Sequence, residues 1–328
     1  MQRFVSLDIA KAMCIILVVI GHYFPENAPA WYVVLHDAIY MFHMPLFMFA
    51  SGYIYNATKK RIGYGAFIFK KVKRLVVPYF SVSFIVITIK LFTQGSSMVE
   101  NPVTIMSYLQ VFWFPSAGFF LWFIWALWWM FVLIPAFKTK QSRMGLFVLS
   151  VVLFFLPVEL PSTFCFAELK DMFIYFMLGV ICYDNKDIFS VAVSRSPFPA
   201  IAIFASCVIV NQIYGSSEVN LYFIPAFAGI LMTMQVSHII ETKANSNHTK
   251  WLILLSASSY MIYLFHTTFE EVAKSVCHKI PFIANGANDV SFIVGAVIII
   301  SCGVIAPVLL HKYVLSRTRV TSFLFGLK

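Results

Sequence analysis

Ten apolar blocks dominate this chain, most of them about as long as a helix needs to cross ~30 Å of hydrocarbon. They cover residues 4–24, 33–57, 75–94, 119–137, 144–160, 171–184, 197–214, 221–240, 251–268 and 289–311. Such a pattern predicts an all-α, polytopic transmembrane helix bundle of about ten spans. Only 12% of the 328 residues are charged, where a soluble domain carries roughly twice that fraction. No stretch is left over for a separate soluble domain, so residues 1–328 are expected to form one integral-membrane domain. Asp8 and Lys11 interrupt what would be a signal-peptide core, and the first block is expected to remain as a span.

Lys and Arg in the loops orient the spans. With the N-terminus inside, all but Lys90, Lys170, Lys274 and Lys279 of the 24 basic residues fall on the inner side or in the inner end of a span. Both termini are therefore expected to be cytoplasmic, in a cell (cytoplasmic, inner) membrane. That count places Arg3, Lys60, Arg61 and Lys328 inside, and Glu100, Glu218, Glu270 and Glu271 outside. The inner loops account for the net charge of +10. The lipid bilayer, with its anionic headgroups, is thus the expected partner and nucleic acid is not. The six cysteines are scattered without metal-ligand spacing, which predicts packing residues and no metal site.

Ionisable groups inside a span face the protein interior or water, and are functional by default. Lys11 and His22 are eleven residues apart. At ~100° and ~1.5 Å per residue they share a helix face, ~16 Å apart along the axis, and border one slot. Asp8, three residues before Lys11, is placed for an ion pair on one turn. Snorkelling of Lys11 to the headgroups is the plainer alternative. In the second span His36 and His43 are seven apart, and Pro45 is expected to kink the helix. Ser51 and Gly52 permit close approach of a neighbour or ligand. The ninth span carries Ser256, Ser258, Ser259, Tyr260 and His266, so histidines of three spans are expected in the outer half of the bundle. Lys70, Lys71, Lys73 and Arg74 precede the third span. They read either as a topogenic signal or as a site for a phosphorylated cytoplasmic molecule.

These residues resemble the integral-membrane acyltransferase 3 family, in particular members similar to fucose 4-O-acetylases and other sugar O-acetyltransferases. Lys11 and His22 look like its Arg/Lys-x10-His motif. Residues Phe42 to Tyr53, ending in Ala-Ser-Gly-Tyr, look like its second-span signature. Lys71-Val-Lys-Arg74 stands in the place of its Arg-x-x-Arg motif. Leu121 to Trp125 and Ser259 to His266 match its later Trp-Phe and Tyr-Leu-x-His signatures. Lysine replaces arginine at 11 and 71, and lysine lacks the planar bidentate contact of arginine. The resemblance implies an enzyme that moves an acetyl group from cytoplasmic acetyl-CoA, an acyl-CoA donor substrate, to a hydroxyl of a sugar or glycan acceptor. It implies His22 as the catalytic base, with an acetyl-histidine intermediate as the competing mechanism. Lys11, Lys71 and Arg74 would bind the acyl-CoA, and Asp8, His43, Ser51, Ser259, Tyr260 and His266 would form the supporting polar core. A transporter or flippase of a lipid-linked sugar is the alternative, since such proteins also gather polar groups in mid-membrane.

Overall fold

The computed structural model describes residues 4–59, 62–95, 99, 101–215, 223–243, 246–284 and 289–327. Arg3, Lys60, Arg61, Glu100, Glu218 and Lys328, which enter the charge count, lie outside them. So do residues 221 and 222 at the start of the eighth apolar block. Among the described residues the regular structure is helical, with no strand. The first five helices are α1 (Val5–His22), α2 (Ala30–Tyr40), α3 (His43–Thr58), α4 (Tyr64–Lys71) and α5 (Val77–Thr93). There follow α6 (Ser107–Gln110), α7 (Trp122–Leu133), α8 (Lys140–Phe155), α9 (Phe166–Asp184), α10 (Lys186–Val193) and α11 (Phe198–Tyr214). The last five are α12 (Phe223–Lys243), α13 (Ser246–Cys277), α14 (Pro281–Ala284), α15 (Asp289–Leu310) and α16 (Arg319–Leu324). A π turn, Val72–Val76, joins α4 to α5, and a second, His311–Leu315, ends α15.

The protein is a polytopic all-α membrane protein, as the apolar blocks require. Seven helical stretches are long and apolar enough to cross a membrane, and an eighth if α10 and α11, bent by 78° at their junction, count as one. Helices occupy all ten predicted blocks, but three fall short for physical reasons. The 16-residue α8 stops at Phe155, because Leu156 precedes Pro157 and turns extended (φ −71°, ψ 124°). The 19 residues of α9 include Glu168, Lys170, Asp171 and Asp184. The third, α11, has 17 residues.

The chain forms two compact units, Met1–Thr58 with Leu178–Tyr263 and Lys59–Met177 with Leu264–Lys328. In the first, α1 packs on α2, α3 and α12. Ile9, Ala10, Ala12, Cys14, Ile15 and Val19 of α1 are wholly buried. Asn56 of α3 donates to the Val180 carbonyl (2.9 Å) and the Asp184 carboxylate (2.8 Å), tying α3 to α9. The second predicted span is interrupted at Met41 and Phe42, ahead of the expected kink at Pro45. Pro45 instead sits in the first turn of α3, where its missing N–H leaves no bond unmade. Phe42 packs against Gly229 of α12, where an added Cβ would lie 2.5 Å from the Phe42 Cβ.

In the second unit the Tyr79 hydroxyl of α5 donates to the Val111 carbonyl (2.8 Å), and Trp129 Nε1 of α7 to the Phe164 carbonyl (3.1 Å). The second bond ties α7 to the segment before α9, and the first fixes the long connection between α5 and α7. There Phe112 and Trp113 remain about half exposed, as an interfacial aromatic segment requires. Outward side chains of α15 such as Val297, Ile305 and Leu309 are also exposed. An apolar face of that kind is stable against lipid.

Helices α3 and α9 approach closely at Gly179, where a Cβ would stand 2.7 Å from the Tyr53 nitrogen and closer still to the Phe49 carbonyl oxygen. Both neighbours are backbone and cannot rotate away. Gly179→Val is expected to destabilise the solubilised protein by about 1–3 kcal/mol or more. A thermal-unfolding midpoint equal to wild type would show that α3 and α9 do not meet here.

Candidate functional site

The first unit holds both members of the α1 pair. The Lys11 ammonium lies 4.0 Å from the Asp8 carboxylate one turn earlier. The same Asp8 oxygen accepts from the Ser256 hydroxyl of α13 (2.9 Å). The expected ion pair is therefore present, and α13 braces it. Ser256 rather than Ser259 supplies that contact. The Ser259 hydroxyl donates to the Ser256 carbonyl of its own helix (2.8 Å). Tyr260 and Ser51 are both partly buried.

At the other end of α1, His22 is partly buried in a group of aromatic rings. Tyr40 of α2 is the centre of this group, with its ring 6.4 Å from His22, 4.3 Å from His36 and 4.8 Å from His43. Gly21 permits the approach, since a Cβ there would be 3.0 Å from the Tyr40 ring. His43 is 2% exposed. Its Nδ1 donates to the Ile39 carbonyl (2.8 Å), and its own carbonyl accepts from the Cys14 thiol (3.1 Å). That bond satisfies Nδ1 and fixes the ring's orientation. His36 is paired with the Asp37 carboxylate at 3.2 Å. The spacing of His36 and His43 drew attention to this region, but Tyr40 and Asp37 were missed. A tyrosine and an aspartate inside an aromatic-rich segment carry no periodic signal.

The face of α1 between Lys11 and His22 is closed, contrary to the open slot that the spacing predicted. Ile15 and Val18 occupy that face and are 0% and 1% exposed. Side chains packed that closely leave no room beside them, so a molecule can pass Ile15 and Val18 only if the surrounding helices part.

The basic cluster and His266 belong to the second unit. Lys71 ends α4, and its ammonium stands 3.3 Å from the centroid of Phe131 of α7, a cation–π contact. Lys73 lies 4.4 Å from the Phe69 ring, whereas Arg74 is exposed. Lys73 and Arg74 fall in the π turn Val72–Val76, a distortion frequent at functional sites. His266 of α13 is fully buried, with its ring edge-on to Phe120 at 5.4 Å. Trp125 stacks on Trp129 and meets Tyr79 and Phe164 edge-on, a packing role. Lys90 near the end of α5 is 6% exposed and pairs with Glu271 of α13 at 3.4 Å. Loop-charge counting had treated both simply as outer residues.

Membrane helices with ionisable groups lodged among them define a class of integral-membrane proteins, and comparison with known families identifies which. The model of the acyltransferase domain of the acyltransferase 3 family matches residues 4–312, and the chain belongs to that family. The chain is 28% identical over 188 residues to nodulation protein NolL of Mesorhizobium japonicum, covering 55% of this chain and 48% of that protein. It is 29% identical over 189 residues to nodulation protein NolL of Sinorhizobium fredii, covering 55% and 49%. The chain thus spans about half the length of these curated relatives. No solved structure matches it at a significant level.

Removing one partner of a buried ion pair leaves the other charge without it. Lys90→Met is expected to lower stability by roughly 3 kcal/mol, and Lys90→Met with Glu271→Leu to recover most of that. A single variant as stable as wild type in thermal unfolding would show that the pair contributes nothing.

Proposed function

We propose that this protein is a membrane O-acyltransferase that moves an acetyl group from cytoplasmic acetyl-CoA to a hydroxyl of a sugar or glycan at the outer face of the cell (inner) membrane. Residues 1–328 act as one domain, with both termini cytoplasmic. The observation that carries this reading is the arrangement on α1, within a chain whose family match covers residues 4–312. Lys11 is held by Asp8, and His22 stands eleven residues on beside Tyr40. The ~16 Å between Lys11 and His22 along the axis is about the length of a pantetheine arm.

In this reading His22 is the general base, a role that suits an imidazole near neutral pH. One of its ring nitrogens takes the proton of the acceptor hydroxyl as the oxygen attacks the thioester carbonyl. The carbon–sulfur bond breaks, the new ester forms, and the CoA thiolate leaves as the imidazolium returns the proton. Arg74 and Lys71 bind the CoA phosphates, Arg74 with the fork geometry that suits phosphate oxygens. Lys71 leaves its ring contact with Phe131 to do so. Lys11 steadies the donor, and Asp8 fixes Lys11. Ser51, Ser259, Tyr260, His43 and His266 complete the polar core. Because Ile15 and Val18 close the face between Lys11 and His22, donor binding parts the helices there, a gating step of the kind common in enzymes.

Purified protein given acetyl-CoA and an acceptor glycan is expected to release free CoA and add one acetyl mass per modified unit. A flippase would move the glycan without consuming acetyl-CoA. His22→Ala should abolish CoA release in protein that remains folded, and retained turnover would reject His22 as the base. Lys71→Ala with Arg74→Ala should raise the acetyl-CoA KM about tenfold or more while lowering kcat less. An unchanged KM would leave those cations only a topological role.

A further inference from the structure

Beyond residue 312, where the family match ends, the chain turns back toward the basic cluster within the second unit. The second π turn ends at Leu315, whose carbonyl accepts from the Thr321 hydroxyl (2.7 Å) and the Ser322 hydroxyl (3.4 Å) of α16. Thr318 caps the start of α16, its hydroxyl accepting from the Thr321 backbone N–H at 3.1 Å. The far end closes with paired bonds, Gly326 N–H to the Phe323 carbonyl (3.1 Å) and Leu327 N–H to the Ser322 carbonyl (2.8 Å). This is the Schellman arrangement, which needs a left-handed residue after the helix. Gly326 supplies it, at φ +66°.

Gly326 also makes the closest approach to the first π turn. A Cβ on it would stand 2.9 Å from the Arg74 carbonyl oxygen, 3.2 Å from the Arg74 Cα and 2.8 Å from the Pro78 ring. Phe325 beside it is 4% exposed and packs on Phe265 at 5.6 Å. Phe323 lies 5.9 Å from the Lys73 ammonium. The short helix is therefore anchored at one end to the π turn after α15 and rests at the other on the π turn that carries Arg74. A π turn breaks the i→i−4 bonding pattern of the helix around it, and here Gly326 lies against the backbone of the residue that follows Lys73 in that turn.

We infer that residues 318–327 form a strap that positions Arg74, and with it the affinity of the site for a phosphorylated acyl donor. Gly326 is the positioning residue, because it alone combines the left-handed turn with backbone contact to Arg74. The inference rests on the reading of Arg74 as a phosphate contact. It goes further in assigning a role to a segment outside the family match.

The test compares acetyl-CoA with acetyl-pantetheine, a donor lacking the nucleotide and its phosphates. Gly326→Ala is expected to raise the acetyl-CoA KM by about three- to tenfold, with kcat and the acetyl-pantetheine KM unchanged. In Arg74→Ala protein the same substitution should add little, because the group it positions is gone. If Arg74→Ala raises the acetyl-CoA KM but Gly326→Ala does not, the strap is rejected and the donor site stands. If neither variant changes it, both fall. Equal effects on the two donors, or full additivity with Arg74→Ala, would also overturn the strap. Should Gly326→Ala fail to fold, Thr321→Val, which removes the shorter of the two bonds to Leu315, carries the same expectation and the same grounds for rejection.

Discussion

A lysine among apolar helices is costly unless an anion and further hydrogen bonds hold it, and the way this chain holds Lys11 organises the first unit. Asp8 comes from the same turn of α1, so the pair forms as soon as the helix does. Ser256 then ties that carboxylate to α13 across 248 positions of sequence. Local geometry makes the pair, and packing makes it specific. The same helix ends in an imidazole beside Tyr40. Wherever α1 is placed, therefore, a lysine and an imidazole stand on one of its faces.

Sequence carried much of this. The apolar blocks gave the helical bundle, and eleven-residue spacing put Lys11 and His22 on one face of α1, because both follow from length and period alone. Less legible was everything that depends on neighbours distant in sequence. The break in the second span falls at Met41 and Phe42, ahead of Pro45, where Phe42 packs on Gly229. Lys90 met Glu271 instead of water. Lys71, which the family resemblance marked as an acyl-CoA contact, rests on the ring of Phe131. The slot between Lys11 and His22 is filled by Ile15 and Val18, since shared orientation on a helix does not reserve empty space.

Those differences bear on mechanism in one direction. A closed α1 face and a Lys71 held against an aromatic ring would, in the proposed mechanism, be the state before the donor binds, with the acidic, basic and imidazole groups already oriented. Helix motions of this sort take microseconds to milliseconds. In the proposed mechanism they would also keep water away from the thioester until an acceptor is present. The two π turns and the segment that links them lie in the second unit, where local distortion of the helices makes small adjustments cheap.

The central claim is that the ring of His22 moves the acceptor proton. Chemical rescue tests it most directly, with CoA release from acetyl-CoA and an acceptor glycan followed in folded His22→Gly protein as free imidazole is added. The account predicts negligible release without imidazole and a saturable recovery with it, rising with the basicity of substituted imidazoles. Wild-type release from His22→Gly in the absence of any added base would contradict it.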